Sequence, residues 1–449
     1  MNGIENILEK ISGLIWGNYL IVTLVGVGIF FTISTGFIQI KGFPLAIKEL
    51  INSLKGKNKA KGEGTLSAFQ ALCTALSSCV GNGNIVGVAT AIASGGPGAV
   101  FWMWIAGIFG MATKYAEIVI GMIYREKSED GTYVGGPMYY LSKGLGWKKI
   151  SIIFAALMCL QISGGALIQS NAVAHVMNDV FKVKPIFGGI LMGIVITVVV
   201  IGGVRRLGAV AEKLIPVMTI IYFIGGITII ITNINQVPYA IISIVKCAFN
   251  TQSVGGGILG YTIKEALRFG VARGLYSNEA GEGSAPVLHS AAITDHPARQ
   301  GLYGLLEVFI DTILICSLTS FIVLTSGVTE MKISPAVYVI TAFGTIHYLF
   351  KYIIGISMIL FAFSTILSQW YFGNVTLTYI FNSKTASYFK YVFVCLALIG
   401  STTTLKTVWL IQDILLGLMI LPNLIGILLL SPEIKNKTKE FFEMIKKEK

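Results

Sequence analysis

Eleven long apolar runs dominate the chain, at about 16–40, 66–93, 98–124, 150–178, 186–203, 214–232, 257–290, 301–327, 349–381, 388–405 and 407–430. A membrane-crossing helix needs about 20 apolar residues, and in hydrocarbon each backbone amide must be satisfied inside its own segment. The pattern therefore predicts an all-α polytopic membrane protein. Only 12% of the 449 residues are charged, about half the share of a soluble domain. The net charge of +12 first suggests nucleic acid, but the basic residues sit in short loops and the tail, where membrane topology explains them better. Six cysteines (Cys73, Cys79, Cys159, Cys247, Cys316, Cys395) are scattered with no CxxC or Cys/His cluster, so neither a disulfide framework nor a metal site is indicated. The first run is long enough to span and no cleavage site follows it, so no cleavable signal peptide is expected.

The run from Leu66 to Ala93 is interrupted by Ser77-Ser78-Cys79-Val80-Gly81-Asn82-Gly83-Asn84. Glycine and asparagine are poor helix formers, and the amides they free at membrane depth are tolerated only against protein or a polar cavity. Such an interruption is either a close-packing face between helices or the broken helix on which secondary transporters bind ion and solute. Its serines and asparagines favour the second. The runs at 257–290 and 349–381 exceed one span and must be bent, broken or extended. Amphipathic connectors are read at Phe43 to Leu54, Tyr133 to Leu145, Pro238 to Phe249 and Pro335 to Tyr348.

Lysine and arginine placement sets orientation. Lys41, Lys48, Lys55, Lys57, Lys59 and Lys61 lie in the loop 41–65, and Arg125, Lys127, Lys143, Lys148 and Lys149 follow the third run. Arg205, Arg206 and Lys213 follow the fifth, and Lys435, Lys437, Lys439, Lys446, Lys447 and Lys449 fill the tail. With eleven spans all four groups share one side, so the C-terminus is cytoplasmic and the N-terminus outside a cell membrane. Setting aside an extra N-terminal helix and basic loop (1–64) leaves two halves of five, 65–232 and 233–430, before a basic tail, 431–449. The second half opens at Gly255, and its first span is again interrupted, over Phe269 to Gly281. Two broken helices at matching positions point to a site between inverted repeats.

Cys79-Val80-Gly81-Asn82-Gly83-Asn84, followed by Gly95-Gly96-Pro97-Gly98-Ala99, resembles the opening helices of sodium-coupled amino-acid transporters with the leucine-transporter fold. Gly81-Asn82-Gly83-Asn84-Ile85-Val86-Gly87-Val88-Ala89 with Gly110-Met111-Ala112-Thr113-Lys114-Tyr115-Ala116-Glu117 resembles the alanine or glycine:cation symporter family. So does Arg273 to Pro286, and the similarity covers nearly the whole chain. The resemblance implies a leucine-transporter-like 5+5 inverted repeat with one extra N-terminal helix, 11 transmembrane helices, and sodium-coupled import of alanine or glycine without an organic cofactor. The alternatives are proton coupling and an ion channel. An intramembrane enzyme would need a nucleophile–base or metal constellation, and the four histidines (His175, His289, His296, His347), all near span ends, supply none.

A zwitterionic solute needs N–H donors for its carboxylate and oxygens for its ammonium. Half-helix amides at Gly81, Asn82 and Gly83 offer the first, and carbonyls near Ala75 to Ser78 the second. The expected substrate-binding residues are Ala75, Ser78, Cys79, Gly81, Asn82, Gly83, Gln169, Phe269, Arg273, Gly274, Tyr276, Ile366 and Trp370; the expected sodium ligands are Ser77, Val80, Asn84, Ser364 and Thr365. By resemblance, Asn84 binds sodium beside the substrate, and Ser364-Thr365 completes a second sodium site. Read from residues alone, Asn84 equally suits an interhelical hydrogen bond, and the hydroxyls suit bonding back to their own helix. Gln169 points to substrate or backbone, and Trp370 to a pocket wall or an interfacial belt. Among charges at membrane depth, Lys114 and Glu117 are expected to pair with each other. Glu307 and Asp311 share a face, with Asp311 a candidate for ion coupling. Glu279 and Glu282 suit a brace or gate.

Overall fold

The computed structural model describes residues 2–55, 62–249, 262–402 and 406–447. Its helices are α1 (Asn2–Ile15), α2 (Asn18–Ser34), α3 (Phe43–Leu54), α4 (Ala68–Cys79), α5 (Gly83–Gly95), α6 (Gly98–Ile123), α7 (Pro137–Lys143), α8 (Lys148–Asp179), α9 (Pro185–Val200) and α10 (Gly203–Thr232). There follow α11 (Val237–Phe249), α12 (Ile263–Asn278), α13 (Ala285–His289), α14 (Pro297–Thr325), α15 (Tyr338–Ile346), α16 (Phe350–Ile380), α17 (Phe389–Gly400), α18 (Lys406–Leu429) and α19 (Ser431–Lys447). A two-stranded hairpin, Glu126–Lys127 with Tyr133–Val134, is the sheet among these residues.

Seven helical stretches are long and apolar enough to cross a membrane, and α4 with α5, bent by 49°, makes an eighth. Each of the eleven apolar runs contains helix, but α9, α12 and α17 are shorter than a full span. Several boundaries differ from the sequence reading. The first run is not one helix: α1 ends before Gly17, and α2 stops where Gly36 and Phe37 turn left-handed. The tenth helix starts at Gly203 rather than residue 214, so Arg205, Arg206 and Lys213 ride on the helix instead of a loop. Nothing between them breaks a helix, and interior Pro216 is accommodated. Gly255, the start of the 257–290 run, the end of the 388–405 run, Lys57, Lys59, Lys61 and Lys449 lie outside the described residues.

The second interruption is displaced from its expected place. Phe269 to Asn278 form continuous helix, and the chain unwinds over 279–284, where Glu279, Gly281 and Gly283 take φ of 56°, 95° and 87°. Gly270 and Gly274 are packing glycines: a Cβ at Gly274 would lie 3.0 Å from Met103 Cγ of α6. Small residues of this kind let helices approach closely in membranes.

Three helical stretches of the first part of the chain pair antiparallel with three of the second. Thr65 and Leu66 N–H both donate to Ala291 O, at 2.7 and 2.9 Å, and Ile293 N–H donates to Leu66 O at 2.7 Å. At the other end, a Cβ on Gly95 would lie 3.0 Å from Glu265 O. The two broken helices thus run side by side in opposite directions. Helices α6 and α14 do the same: Gly107 abuts Thr312, and Gly301 abuts Tyr115. So do α8 and α16, with Gly165 against Gln369 and Gly373 against Ile162.

Candidate functional site

Two half-helix ends face each other inside the bundle. Helix α4 opens with a capping box, Ser67 and Gln70 exchanging side-chain and backbone bonds, and ends at Cys79 because Val80 adopts extended ψ. Helix α5 then begins with a π-turn over Gly83–Gly87, a local irregularity that frequently marks functional sites. Asn84 closes the gap, its Oδ1 accepting Gly81 N–H at 2.8 Å. Its Nδ2 donates to Asp311 Oδ1 at 2.5 Å and Ser277 Oγ at 2.8 Å. Ser277 Oγ donates to Asp311 Oδ1 at 3.1 Å and Thr312 Oγ1 to Asp311 Oδ2 at 2.9 Å. Asn84, Ser277, Asp311 and Thr312 are all buried. They join the first break, the last turn of α12 and a π-helical stretch, Phe309–Cys316, inside α14.

The expected residues divide. Gln169 meets the first break directly, its Oε1 accepting Asn82 Nδ2 at 3.1 Å. Thr365 also abuts it: a Cβ on Gly81 would lie 2.7 Å from Thr365 Oγ1. The hydroxyls of Ser364 and Thr365 donate to Phe361 O at 2.8 and 3.0 Å, bonding back to their own helix. Ser77 donates to Thr74 O at 2.6 Å and touches Ser368, which ties α4 to α16. Ala75 and Val80 are wholly buried in the same helix end. Ser78 donates to Glu279 Oε1 at 2.5 Å, so Glu279 braces one break against the other. Tyr276 packs 3.6 Å from where a Gly83 Cβ would stand. Phe269 and Arg273 lie away from this centre, lining a cavity with α1 and α18. Trp370 lines a cavity of about 380 Å³ bordered by Asp130, Arg205 and Lys390, and Ile366 is buried in apolar core.

Lys114 does not pair with Glu117. It bonds Glu307 Oε1 at 2.9 Å and donates to Asn278 O, a carbonyl freed by the second break, at 2.7 Å. Cys79 Sγ donates to Glu307 Oε1 at 3.0 Å, and His289 Nε2 stands 3.2 Å from Glu307 Oε2. Glu117 accepts Gly281 N–H at 3.1 Å and Gly283 N–H at 2.9 Å. Asn423 of α18 donates to Glu117 Oε1 at 2.5 Å and to Gly281 O at 2.8 Å. One face of α6 thus puts a cation on the carbonyl end of the break and an anion on its N–H end. The sequence reading missed Ser277, Asn278, Thr312 and Asn423; the Ser277-Asn278 pair, a polar doublet at the end of the second interrupted run, was the available signal. Among the described residues, no cluster of three His, Cys, Asp or Glu side chains suits a metal ion.

Paired broken helices with a buried polar centre, inside a bundle of membrane-length apolar helices, define a multi-pass membrane transporter. The sodium:alanine symporter family pattern matches residues 1–449, and the chain belongs to that family. It is 41% identical over 442 residues to the uncharacterized transporter YflA of Bacillus subtilis, covering 97% of this chain and 93% of that one. It is 38% identical to the sodium/alanine symporter AgcS of Methanococcus maripaludis, covering 99% and 98%. It is 37% identical to the amino-acid carrier protein AlsT of Bacillus subtilis, covering 94% and 88%. Among solved structures, the nucleobase-cation-symport-1 transporter Mhp1 aligns with a TM-score of 0.45 at 13% identity, covering 86% of this chain and 96% of that one. The protein is a transporter of amino acids and not an enzyme.

Proposed function

We propose that this protein imports small neutral amino acids, alanine and glycine, with sodium, by alternating access. The observation that carries this reading is the buried Asn84–Ser277–Asp311–Thr312 cluster between the two breaks. Sodium is a hard cation that wants oxygen ligands, and a carboxylate with two hydroxyls supplies them. Turning the Asn84 amide over adds Oδ1 and releases Gly81 N–H toward a solute carboxylate. Ser77, Val80, Ser364 and Thr365, where α4 meets α16, form the second cation locus of the proposal. The antiparallel pairing of α4/α5 with α12/α13, α6 with α14, and α8 with α16 supports a 5+5 inverted repeat, 65–232 and 233–430, with an extra helix before it and eleven spans in all. The basic loops and tail then face the cytoplasm, and α6, α14 and the broken pair rock against the rest.

A second reading, proton coupling, draws on the same Asp311 carboxylate, which can carry a proton as well as face a cation. Uptake of radiolabelled alanine into proteoliposomes decides: a sodium gradient should drive accumulation and a proton gradient alone should not. Saturation with alanine separates a carrier from a channel. Since the "Probable sodium/glutamine symporter GlnT" of Bacillus subtilis is 35% identical, competition by all common amino acids sets the substrate list. Selection for tiny solutes must come from exclusion, because a methylene in an apolar pocket is worth only about 1–3 kcal/mol. Tyr276, whose ring lies 3.6 Å from where a Gly83 Cβ would stand at the first break, is the bulky wall nearest the centre. Trimming it to leucine should keep alanine uptake while admitting valine or leucine. An unchanged substrate list would place the wall elsewhere.

A further inference from the structure

The face opposite the basic loops carries a cavity of about 200 Å³ that the central site does not use. Glu9, Ser12, Gly13 and Trp16 line one side, Arg268, Phe269, Ala272, Arg273 and Tyr276 of α12 another, and Leu410 and Asp413 of α18 the third. Helix α1 is built for this position. Ile4, Ile7, Ile11 and Leu14 recur at spacings of three and four and stand 66%, 59%, 41% and 73% exposed, a stripe suited to the bilayer interface. Glu9 and Ser12 lie on the other face, toward the cavity. Trp16 Nε1 donates to Asp413 O at 2.9 Å and ties the end of α1 to α18. The Arg273 guanidinium sits 5.9 Å over the Tyr276 ring, and Arg268 5.6 Å over Phe269, so aromatic faces hold both cations in place. The same Tyr276 ring has Cδ1 and Cε1 3.6 Å from where a Gly83 Cβ would stand at the first break. Tyr276 therefore touches both this cavity and the first break.

We propose that this cavity is a staging subsite for a small zwitterion, the α-carboxylate on Arg273 and Arg268 and the α-ammonium on Asp413, with α1 as its outer wall. The proposal rests on the amino-acid import reading above. Guanidinium–carboxylate bonding is the strong, directional kind, and opposite charges on facing walls select molecules carrying both. The volume suits something smaller than the drug-sized ligands of ordinary pockets. Two guanidiniums facing the two carboxylates leave no net negative charge to recruit sodium, so binding here is sodium-independent, unlike binding at the centre.

Equilibrium dialysis of the purified full chain against radiolabelled alanine, with choline replacing sodium, isolates this site. A weak saturable binding should remain, displaced by glycine but not by propionate or ethylamine. Asp413→Asn and Arg273→Gln should each weaken it about ten-fold, the loss of one charge-assisted contact. Arg273→Lys should restore much of it, which guards against misfolding as the cause. Gly81→Leu, which crowds Thr365 at the centre, should abolish sodium-dependent binding and spare the sodium-free component. Absence of sodium-free saturable binding would overturn the subsite, as would its loss in Gly81→Leu with retention in Asp413→Asn. Either result leaves sodium-driven uptake standing; failure of that uptake by the unaltered protein would instead refute the import reading.

Discussion

At the scale of single residues, the membrane makes every buried charge answer for itself. A lysine at a helix centre costs about 2.5–3.5 kcal/mol on insertion scales, and Lys114 is tolerated because Glu307 and the Asn278 carbonyl meet it. Removing one member of a buried pair strands the other, at about 3–5 kcal/mol. Lys114→Met should therefore sharply lower the melting temperature in detergent, and adding Glu307→Gln should recover part of the loss. Equal melting of single and double variants would deny the coupling. Among the described residues, Asp311 is hydrogen-bonded by the neutral groups of Asn84, Ser277 and Thr312, an arrangement that leaves its charge for a mobile cation. Asp311→Asn should raise the half-saturating sodium concentration at least about ten-fold with little change in expression. Sodium dependence that survives intact would move the cation elsewhere.

At the scale of elements, the amphipathic tail helix α19 shows how a soluble-looking segment is enlisted. Ile434, Thr438 and Phe441 are buried against the ends of α6 and α14, Tyr115 and Thr438 hydroxyls lie 3.0 Å apart, and Arg299 stacks on Phe441 at 5.4 Å. His296, the N-cap of α14, accepts Ala298 N–H on Nδ1 at 3.1 Å, so its ring is neutral there with Nε2–H toward Glu440, 3.6 Å away. Burial holds this histidine below its ordinary 6.5, and the Lys437 ammonium, with His296 beside it, lowers Glu440. Both shifts are downward, so the docking they favour is fully present above the unfolded values and lost as pH falls through the folded ones. Protection of the 431–447 amides, measured against their intrinsic exchange rate at each pH, should fall as pH drops below 6.5. His296→Asn keeps an N-cap acceptor without a titrating ring, and should flatten the dependence between that pH and the carboxylate range. A tail whose protection ignores pH in the unaltered protein would exclude this latch.

At the scale of the whole molecule, the basic residues predict the orientation. The basic face gathers α3, the 126–134 hairpin, the starts of α10 and α17, and α19. A fluorescent protein fused after residue 449 should light up and alkaline phosphatase fused there should stay inactive, with the reverse at residue 1. Both termini reporting one side would break the eleven-span arrangement. Legibility in the sequence followed locality. Glycines and asparagines at 81–84 announced the first break because poor helix formers cluster there. The second interruption, which the sequence suggests over Phe269 to Gly281, falls at 279–284, because glycines at 270 and 274 look like breakers when isolated. Their work is to let α12 lie against α6.

Hydrophobic run length alone determined that the chain crosses a membrane as helices, and lysine placement alone offered an orientation. Both are averages over many residues and tolerate local error. Which partner each buried polar group takes is a different matter. Lys114 and Glu117 sit one turn apart and suggest each other, yet one turns to Glu307, 193 positions on, and the other to the amides of Gly281 and Gly283. Only the folded arrangement decides this, because the groups that most need charge are the carbonyls and N–H groups freed where α12 unwinds, and these exist only once the helix has broken.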